Sequence, residues 1–149
     1  MAKHRFFYLM NMAGHRVFKH VDRVAQAELG VSAAQLGPLF VVARYPGSSQ
    51  RELAAQLGYN ESAITAQVRR LIEAELVERV PSPKDRRATK IELTAKGAEV
   101  VRRAQPLLAR FNAMLMEGFE EAELDVAARF LEHAIEAFGS KPGSKELAE

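Results

Sequence analysis

The chain has 149 residues, 48% hydrophobic and 27% charged, which suits a globular protein with a substantial core. It has no cysteine, which excludes disulfides and thiol-based redox sensing. The net charge is only +2, but residues 41–90 hold nine Lys/Arg against six Asp/Glu, whereas residues 91–149 hold seven against eleven. A basic region beside an acidic one is typical of a protein that presents one end to a polyanion.

The first segment is predicted to form a long helix over residues 5–29, because apolar side chains recur along one face and Gly30 suits its end. Its apolar run at residues 6–12 is interrupted at residues 14–16, well short of a spanning length. We therefore expect a soluble cytoplasmic protein without a signal peptide and without membrane association.

Two capping boxes follow, each with a serine and a partner three residues later that satisfy each other's free amides. They begin at Ser32 and Ser49 and predict helices over residues 33–44 and 50–57. Gly58 suits the end of the second of these helices.

Asn60 is predicted to cap the next helix, which runs to about residue 75. Ile64, Val68 and Leu71 recur at helical spacing and form its apolar stripe. The opposite side carries small polar residues and then arginines, which suit close approach to a DNA groove. The groove-facing candidates are Ser62, Thr65, Arg69 and Arg70. An ordinary amphipathic helix with a solvated charged face is the alternative for this helix by itself.

A hairpin is predicted next, because residues 77–80 and 90–93 alternate apolar and polar side chains. Pro81 and Pro83 lack an amide donor, so they are expected in the turn, over residues 81–89. The turn carries the cations Lys84, Arg86 and Arg87. Cations at the tip of a hairpin suit a phosphate backbone or a minor groove. Helix, turn, helix and hairpin is the order of a winged helix-turn-helix.

Two long helices complete the prediction: one capped by Thr94 and running to about residue 117, and one over residues 121–138. The last helix is expected to point Leu124, Ala128, Leu131, Ile135 and Phe138 inward. The predicted fold class is mainly α with a small β-hairpin wing. We expect one domain over residues 1–139, with a DNA-binding lobe at 31–93, dimerisation helices at 1–30 and 94–139, and a flexible tail at 140–149.

The terminal helices carry more apolar surface than a small winged head needs to cover. The Met-rich and aromatic set is Phe6, Phe7, Met10, Met12, Phe111, Met114, Met116 and Phe119. This set predicts a homodimer interface, with intramolecular packing alone as the alternative. A twofold dimer places two reading helices roughly 34 Å apart, which predicts a near-palindromic operator in double-stranded DNA.

The segment over residues 31–97 resembles the MarR family of bacterial transcription regulators. The matching residues are Arg51-Glu52-Leu53-Ala54, Leu57-Gly58, Ser62, Thr65, Arg70-Leu71, Leu76-Val77, Asp85-Arg86-Arg87 and Leu93-Thr94-Ala95-Lys96-Gly97. The resemblance implies that Ser62, Thr65 and Arg70 approach DNA and that Arg87 enters the minor groove. It further implies that Asp85 orients the wing arginines and that Lys84 and Arg86 contact phosphates. The chain departs from the family at Glu75, where Gly is frequent.

Many members of this family bind small aromatic acids between the dimer helices and the DNA-binding lobe, so a repressor released by such an effector is expected. The candidate lining is Arg16, Ser32, Leu36 and Phe40, with Arg16 pairing a carboxylate. The alternative is that Arg16 is structural or solvated, beside core Leu36 and Phe40.

No catalytic residue, cofactor or metal site is predicted. His4, His15, His20 and His133 lack metal-binding spacing, and no nucleophile elbow or phosphate-binding loop occurs. A zinc site assembled between helices stays an alternative. The main rival function is a winged-helix module that binds another protein and no operator.

Overall fold

The computed structural model describes residues 3–85 and 89–139, and it confirms the predicted fold class. The elements in chain order are α1 (Phe6–Leu29), α2 (Ala33–Arg44), α3 (Gln50–Leu57), α4 (Glu61–Glu73), β1 (Val77–Pro81), β2 (Thr89–Leu93), α5 (Ala95–Met116) and α6 (Glu121–Phe138). Among the described residues, no helix combines the length and apolarity that a membrane crossing needs. The predicted tail at 140–149 lies outside the described residues.

The helix boundaries follow the local signals in the sequence. The Ser32 and Ser49 side chains accept from the amides of Gln35 and Glu52, and both reciprocal bonds of each capping box form. The residues that follow α1 and α3, Gly30 and Gly58, are left-handed, with φ of 71° and 66°. Since such caps satisfy backbone groups within one turn, they depend little on distant contacts.

The end of α4 takes a Schellman form without a glycine. The Glu75 amide donates to the Ile72 carbonyl, and the Leu76 amide donates to the Leu71 carbonyl, both at 2.9 Å. This arrangement requires a left-handed residue at the turn, and Glu75 has a φ of 60°. Glu75 therefore performs the turn that the family often gives to glycine, at some conformational cost.

The hairpin pairs β1 with β2 in antiparallel register, from Val77 opposite Leu93 to Pro81 opposite Thr89. The expectation that Pro81 lies in the turn is wrong, because it is the last residue of β1. The Ile91 amide donates to the Ser48 carbonyl at 2.8 Å, away from β1. Ile91 and Arg79, its partner on β1, therefore form a non-hydrogen-bonded pair. Pro81 lies two positions further along, so no ladder bond requires its missing amide.

The described chain divides into two compact units, the first extending to Leu108 and the second starting at Ala109, within α5. In the first unit, α2 packs against α1, α3, α4 and β2. The largest fully buried side chains of its core are Leu39, Leu53, Ile64, Leu71, Leu76, Ile91 and Leu107. Each contributes on the order of 1.5–3 kcal/mol of transfer free energy, so this core holds the helix-turn-helix and the wing together. The predicted division into lobe and dimerisation helices stays a prediction.

The second unit contains the end of α5 and all of α6. No residue of α6 is buried in the single chain. The expectation that five apolar side chains point inward is wrong within one protomer for Ala128, Leu131, Ile135 and Phe138, while Leu124 is half-buried. Leu131, Ile135 and Phe138 are all exposed, Phe138 at 91%. Helical periodicity identifies the apolar face of a helix, but it does not say whether the same chain covers that face.

Candidate nucleic-acid interface

The α4 helix divides cleanly into a buried and an exposed face. Ile64, Val68 and Leu71 are at most 2% exposed, which confirms the apolar stripe. The four groove-facing candidates of this helix are all exposed: Ser62, Thr65, Arg69 and Arg70. Burial of one face fixes the rotation of the helix, so these four side chains are presented together.

The first turn of α4 is held by its cap. The Asn60 side-chain oxygen accepts from the Ala63 amide at 2.8 Å and from the Ser62 hydroxyl at 2.9 Å. Glu61 lies in this turn, where its charge suits the helix dipole. Because the Ser62 hydroxyl donates its hydrogen to Asn60, it is left to act as an acceptor toward other partners.

A chain of hydrogen bonds joins the wing to α4 through α3. The Arg79 guanidinium on β1 donates to Gln50 Oε1 at 3.0 Å, and Gln50 Nε2 donates to Thr65 Oγ1 at 2.9 Å. The Thr65 hydroxyl then donates to the Glu61 carbonyl at 2.8 Å. Hydrogen bonds between side chains thus connect β1, α3 and α4, which are far apart in the sequence.

An open cleft of about 580 Å³ lies between α3 and α4, at the side where these polar residues gather. Its lining comprises Gln50, Arg51, Ala54, Glu61 and Ile64. Arg51 is exposed and adds a cation that was not among the predicted contacts.

The wing strands support an exposed tip. Lys84 and Asp85 are exposed, and the Lys84 amide donates to the Ser82 hydroxyl at 3.4 Å. Arg86 and Arg87, together with the predicted pairing of Asp85 with the wing arginines, lie outside the described residues.

Further contacts fix α4 from behind. The buried Gln67 side chain donates through Nε2 to the Ala34 carbonyl in the first turn of α2. At the other end, Lys96 Nζ donates to the Ala74 carbonyl at 2.9 Å, and the Thr94 hydroxyl donates to the Glu75 carbonyl at 2.6 Å. The Ala74 and Glu75 carbonyls, which follow α4, thereby accept from side chains at the start of α5 and just before it.

A family model described as the MarR family matches residues 29–88. The transcriptional repressor CouR, solved in complex with a 23-mer DNA duplex, is 30% identical, with a TM-score of 0.75 over 85% of this chain and 89% of CouR. The chain belongs to the MarR family of winged-helix transcription regulators.

Two further known proteins are similar to this chain. The HTH-type transcriptional regulator BilQ of Clostridium symbiosum is 30% identical over 94 residues, which are 63% of this chain and 65% of BilQ. The match thus spans slightly less than two thirds of that relative. The S. aureus MepR–DNA complex gives a TM-score of 0.84 at 19% identity, covering 91% of this chain and 100% of MepR, and shows the shared fold.

The predicted effector residues lie on α1 (Arg16), at the N-cap of α2 (Ser32) and along α2 (Leu36 and Phe40). Arg16 is exposed, Leu36 is 4% exposed in the core, and Phe40 is half-buried. The Ser32 hydroxyl accepts from the Gln35 amide at 3.2 Å and donates to its side-chain oxygen at 3.3 Å. Ser32 and Leu36 therefore have structural roles whether or not a ligand binds, and the effector assignment stays a prediction. Within the described residues, no cluster of three His, Cys, Asp or Glu side chains suited to a metal occurs.

Besides Arg51, three residues of this region were missed by the sequence reasoning. Gln50 and Arg79 belong to the chain of bonds across the wing and α4, and Gln67 is the buried anchor of α4. Gln67 had a usable signal, since it lies between Ile64 and Val68 near the apolar face. Gln50 and Arg79 had no comparable signal, because their partners are 15 and 29 residues away.

The clearest electrostatic shift lies away from this surface, on α5. Arg102 donates to Glu99 through Nε at 2.8 Å, and this hydrogen bond lowers the pKa of the Glu99 carboxyl. The same bond raises the pKa of the Arg102 guanidinium. Both groups are exposed, so the pair contributes little to stability.

Proposed function

We propose that the chain is a homodimeric, sequence-specific DNA-binding regulator, a repressor that leaves its operator when a small anionic aromatic ligand binds. The observation that carries DNA binding is the division of α4. Its apolar face is fixed in the core, while Ser62, Thr65, Arg69 and Arg70 are exposed together. Small hydroxyl side chains permit close approach to a major groove, and the arginines supply charge and hydrogen-bond donors.

The wing adds the second set of contacts. Arg79 and Lys84 are exposed cations on the hairpin, and the sequence places Arg86 and Arg87 next to them. Such cations gain affinity from phosphates by releasing counterions. The DNA-bound state of CouR, a 30% identical relative, supports the same partner for this chain.

A second copy of the chain is the proposed partner of the terminal helices. In the first unit, Phe7 on α1 is 90% exposed, and Phe6 and Met10 on the same helix are also exposed. In the second unit, Ile135 and Phe138 on α6 are exposed. Large apolar side chains left in solvent at this density are typical of a subunit interface.

Two measurements test DNA binding and assembly. Sedimentation velocity is expected to give a dimer. Titration of a fluorescent duplex, carrying a site selected from a random pool, should show affinity falling steeply as salt rises. A weak salt dependence would favour the rival winged-helix module that binds a protein, because an apolar interface is less sensitive to salt. Absence of binding to any duplex would refute the proposal.

The effector part of the proposal rests on Arg16, whose exposed guanidinium is available to a carboxylate. Repression is supported by the repressor activity named for CouR. Benzoate, as a simple aromatic carboxylate, serves as the probe in a DNA-release titration. It is expected to release duplex from the wild type at lower concentration than from Arg16→Gln, with Arg23→Gln on the same helix as the control. Equal release from all three proteins would exclude Arg16 as the ligand contact.

A further inference from the structure

We propose that Gln50, oriented by Arg79, is a positioning residue for Thr65: the Glu61 carbonyl takes the Thr65 hydrogen, and Gln50 holds the hydroxyl so that one acceptor lone pair faces DNA and determines which base the helix accepts there. This inference rests on the proposed DNA binding and goes beyond it by naming the chemistry of one base contact. It is carried by the bonded sequence from Arg79 to Gln50 to Thr65.

The orientation of the Gln50 amide is fixed by its partner on the wing. A guanidinium can only donate, so the Gln50 atom that faces Arg79, 3.0 Å away, must be the oxygen. The amide nitrogen consequently faces Thr65 at 2.9 Å and donates to its hydroxyl oxygen. A flipped amide would place its two hydrogens against the guanidinium and its oxygen against Thr65.

The Thr65 hydroxyl is therefore committed in two of its three directions. Its one hydrogen goes to the Glu61 carbonyl at 2.8 Å, and one lone pair accepts from Gln50. A hydroxyl has one hydrogen and two lone pairs, so one lone pair is left for DNA, beside the side-chain methyl group. Thr65 is exposed, so this lone pair is available to an approaching base edge.

The major-groove edges of the bases then divide into two groups. Adenine N6 and cytosine N4 are donors and match the remaining lone pair, and the thymine methyl matches the Thr65 methyl. Guanine presents only acceptors, N7 and O6, which would face a lone pair of Thr65. We infer that the operator position read by Thr65 excludes guanine on the contacted strand.

The experiment is selection of binding sites from a random duplex pool by the full-length protein. Thr65→Val, which removes the hydroxyl and keeps the shape, identifies the position that Thr65 reads. At that position the wild type is expected to disfavour guanine by at least about fivefold, which is the change in affinity that one neutral hydrogen bond brings. Gln50→Leu is expected to lose this preference at the same position and to keep the preferences elsewhere.

Gln56→Leu is the matched control, since it makes the same chemical change at an exposed position of α3. It should leave every preference intact. In the double variant, Gln50→Leu combined with Thr65→Val should alter base preference no more than Thr65→Val alone, because both act through one hydroxyl. Thermal unfolding of each variant verifies that the compared proteins are folded.

The outcomes separate this inference from the proposed function. If the wild type enriches sites but Gln50→Leu retains the preference, or weakens all positions equally, Gln50 has only a structural role and the inference is overturned. A wild-type preference for guanine, or no change in Thr65→Val, overturns it as well and leaves operator binding intact. If the wild type enriches no sequence, the proposed function and this inference are both refuted.

Discussion

The carbonyl oxygen of Leu76 lies 1.9 Å from the position that a Cβ atom on Gly97 would occupy. The first turn of α5 therefore meets the backbone at the start of the wing without room for any side chain. The Thr94 amide donates to the same carbonyl at 3.1 Å, so Leu76, between α4 and β1, is in contact with the start of α5. The close approach of Leu76 therefore explains why residue 97, at the end of the Leu93-Thr94-Ala95-Lys96-Gly97 motif, is a glycine.

Gly97→Ala is expected to destabilise the protein by about 3 kcal/mol, because the backbone has to move to accommodate one methyl group. Urea unfolding at constant protein concentration measures the change. Gly37→Ala is the control, since its nearest neighbour would be a Leu57 methyl carbon at 4.0 Å, an ordinary contact. That control should be neutral or slightly stabilising within α2. Equal effects of the two substitutions would contradict the steric explanation.

Glu75→Gly is expected to stabilise the protein by about 1 kcal/mol. Glu75 has a φ of 60°, which glycine adopts without the cost that a side chain brings, although glycine also loses more entropy on folding. The unfolding midpoint in urea should rise. Glu73→Gly, within the last turn of α4, should lower it. A lower midpoint for Glu75→Gly would show that the Glu75 side chain contributes more than its backbone strain costs.

Gln67→Leu is expected to destabilise the protein by about 1–3 kcal/mol, because it removes the hydrogen bond between the buried Gln67 amide and the Ala34 carbonyl. The two side chains have similar volumes, so the loss of stability is assigned to the missing hydrogen bond. Gln26→Leu is the comparison, since Gln26 is exposed on α1 and donates to Asp22 at 2.9 Å. We expect less than about 0.5 kcal/mol there. If Gln67→Leu is equally mild, the buried amide does not anchor α4.

Arg70→Ala is expected to weaken operator binding by about 1–3 kcal/mol while leaving the unfolding transition unchanged. The side chain is exposed in the last turn of α4, so its removal costs little packing. Fluorescence anisotropy at several salt concentrations measures both affinity and its salt slope. Loss of one phosphate contact would reduce that slope by about 0.9, whereas loss of a base contact would alter sequence preference. Arg129→Ala, exposed on α6, should change neither; unchanged binding in Arg70→Ala would remove this residue from the interface.

Ile135→Glu is expected to weaken dimerisation at least about tenfold, because it introduces a charge into an apolar face proposed to meet a second copy. The single chain should keep its fold, since Ile135 is 71% exposed within one protomer. Sedimentation equilibrium over a concentration series measures the dissociation constant of the dimer. Glu132→Gln on the same helix is the control. A dimer constant unchanged by Ile135→Glu would place the interface elsewhere.

Much of the helical architecture could be predicted because its signals act within one turn. Ser32, Ser49 and Asn60 begin their helices where their side chains accept from nearby amides. The position of Pro81 could not be predicted in this way. Whether a proline fits a strand depends on which pairs exchange hydrogen bonds, and Ser48, far outside the hairpin, decides that by accepting from Ile91.

The candidate nucleic-acid interface also combines features that local sequence predicts with features that depend on distant contacts. Helical periodicity separated Ile64, Val68 and Leu71 from the exposed face of α4, because one helix rotation determines both. The bonds of Gln50 to Thr65 and Arg79 join residues 15 and 29 positions apart. No local pattern encodes such a pairing, since side chains of many types could occupy those exposed positions.

The amino-acid sequence alone determined where the helices begin and end, which face of α4 is apolar, and where cations gather, since each depends on neighbours within about one helical turn. Tertiary structure decided that Glu75 turns left-handed, that Leu76 leaves no space beside Gly97, and that Gln50 connects the wing to Thr65. Those features arise only when distant segments are packed together, because packing fixes the distances on which steric exclusion and hydrogen bonding depend.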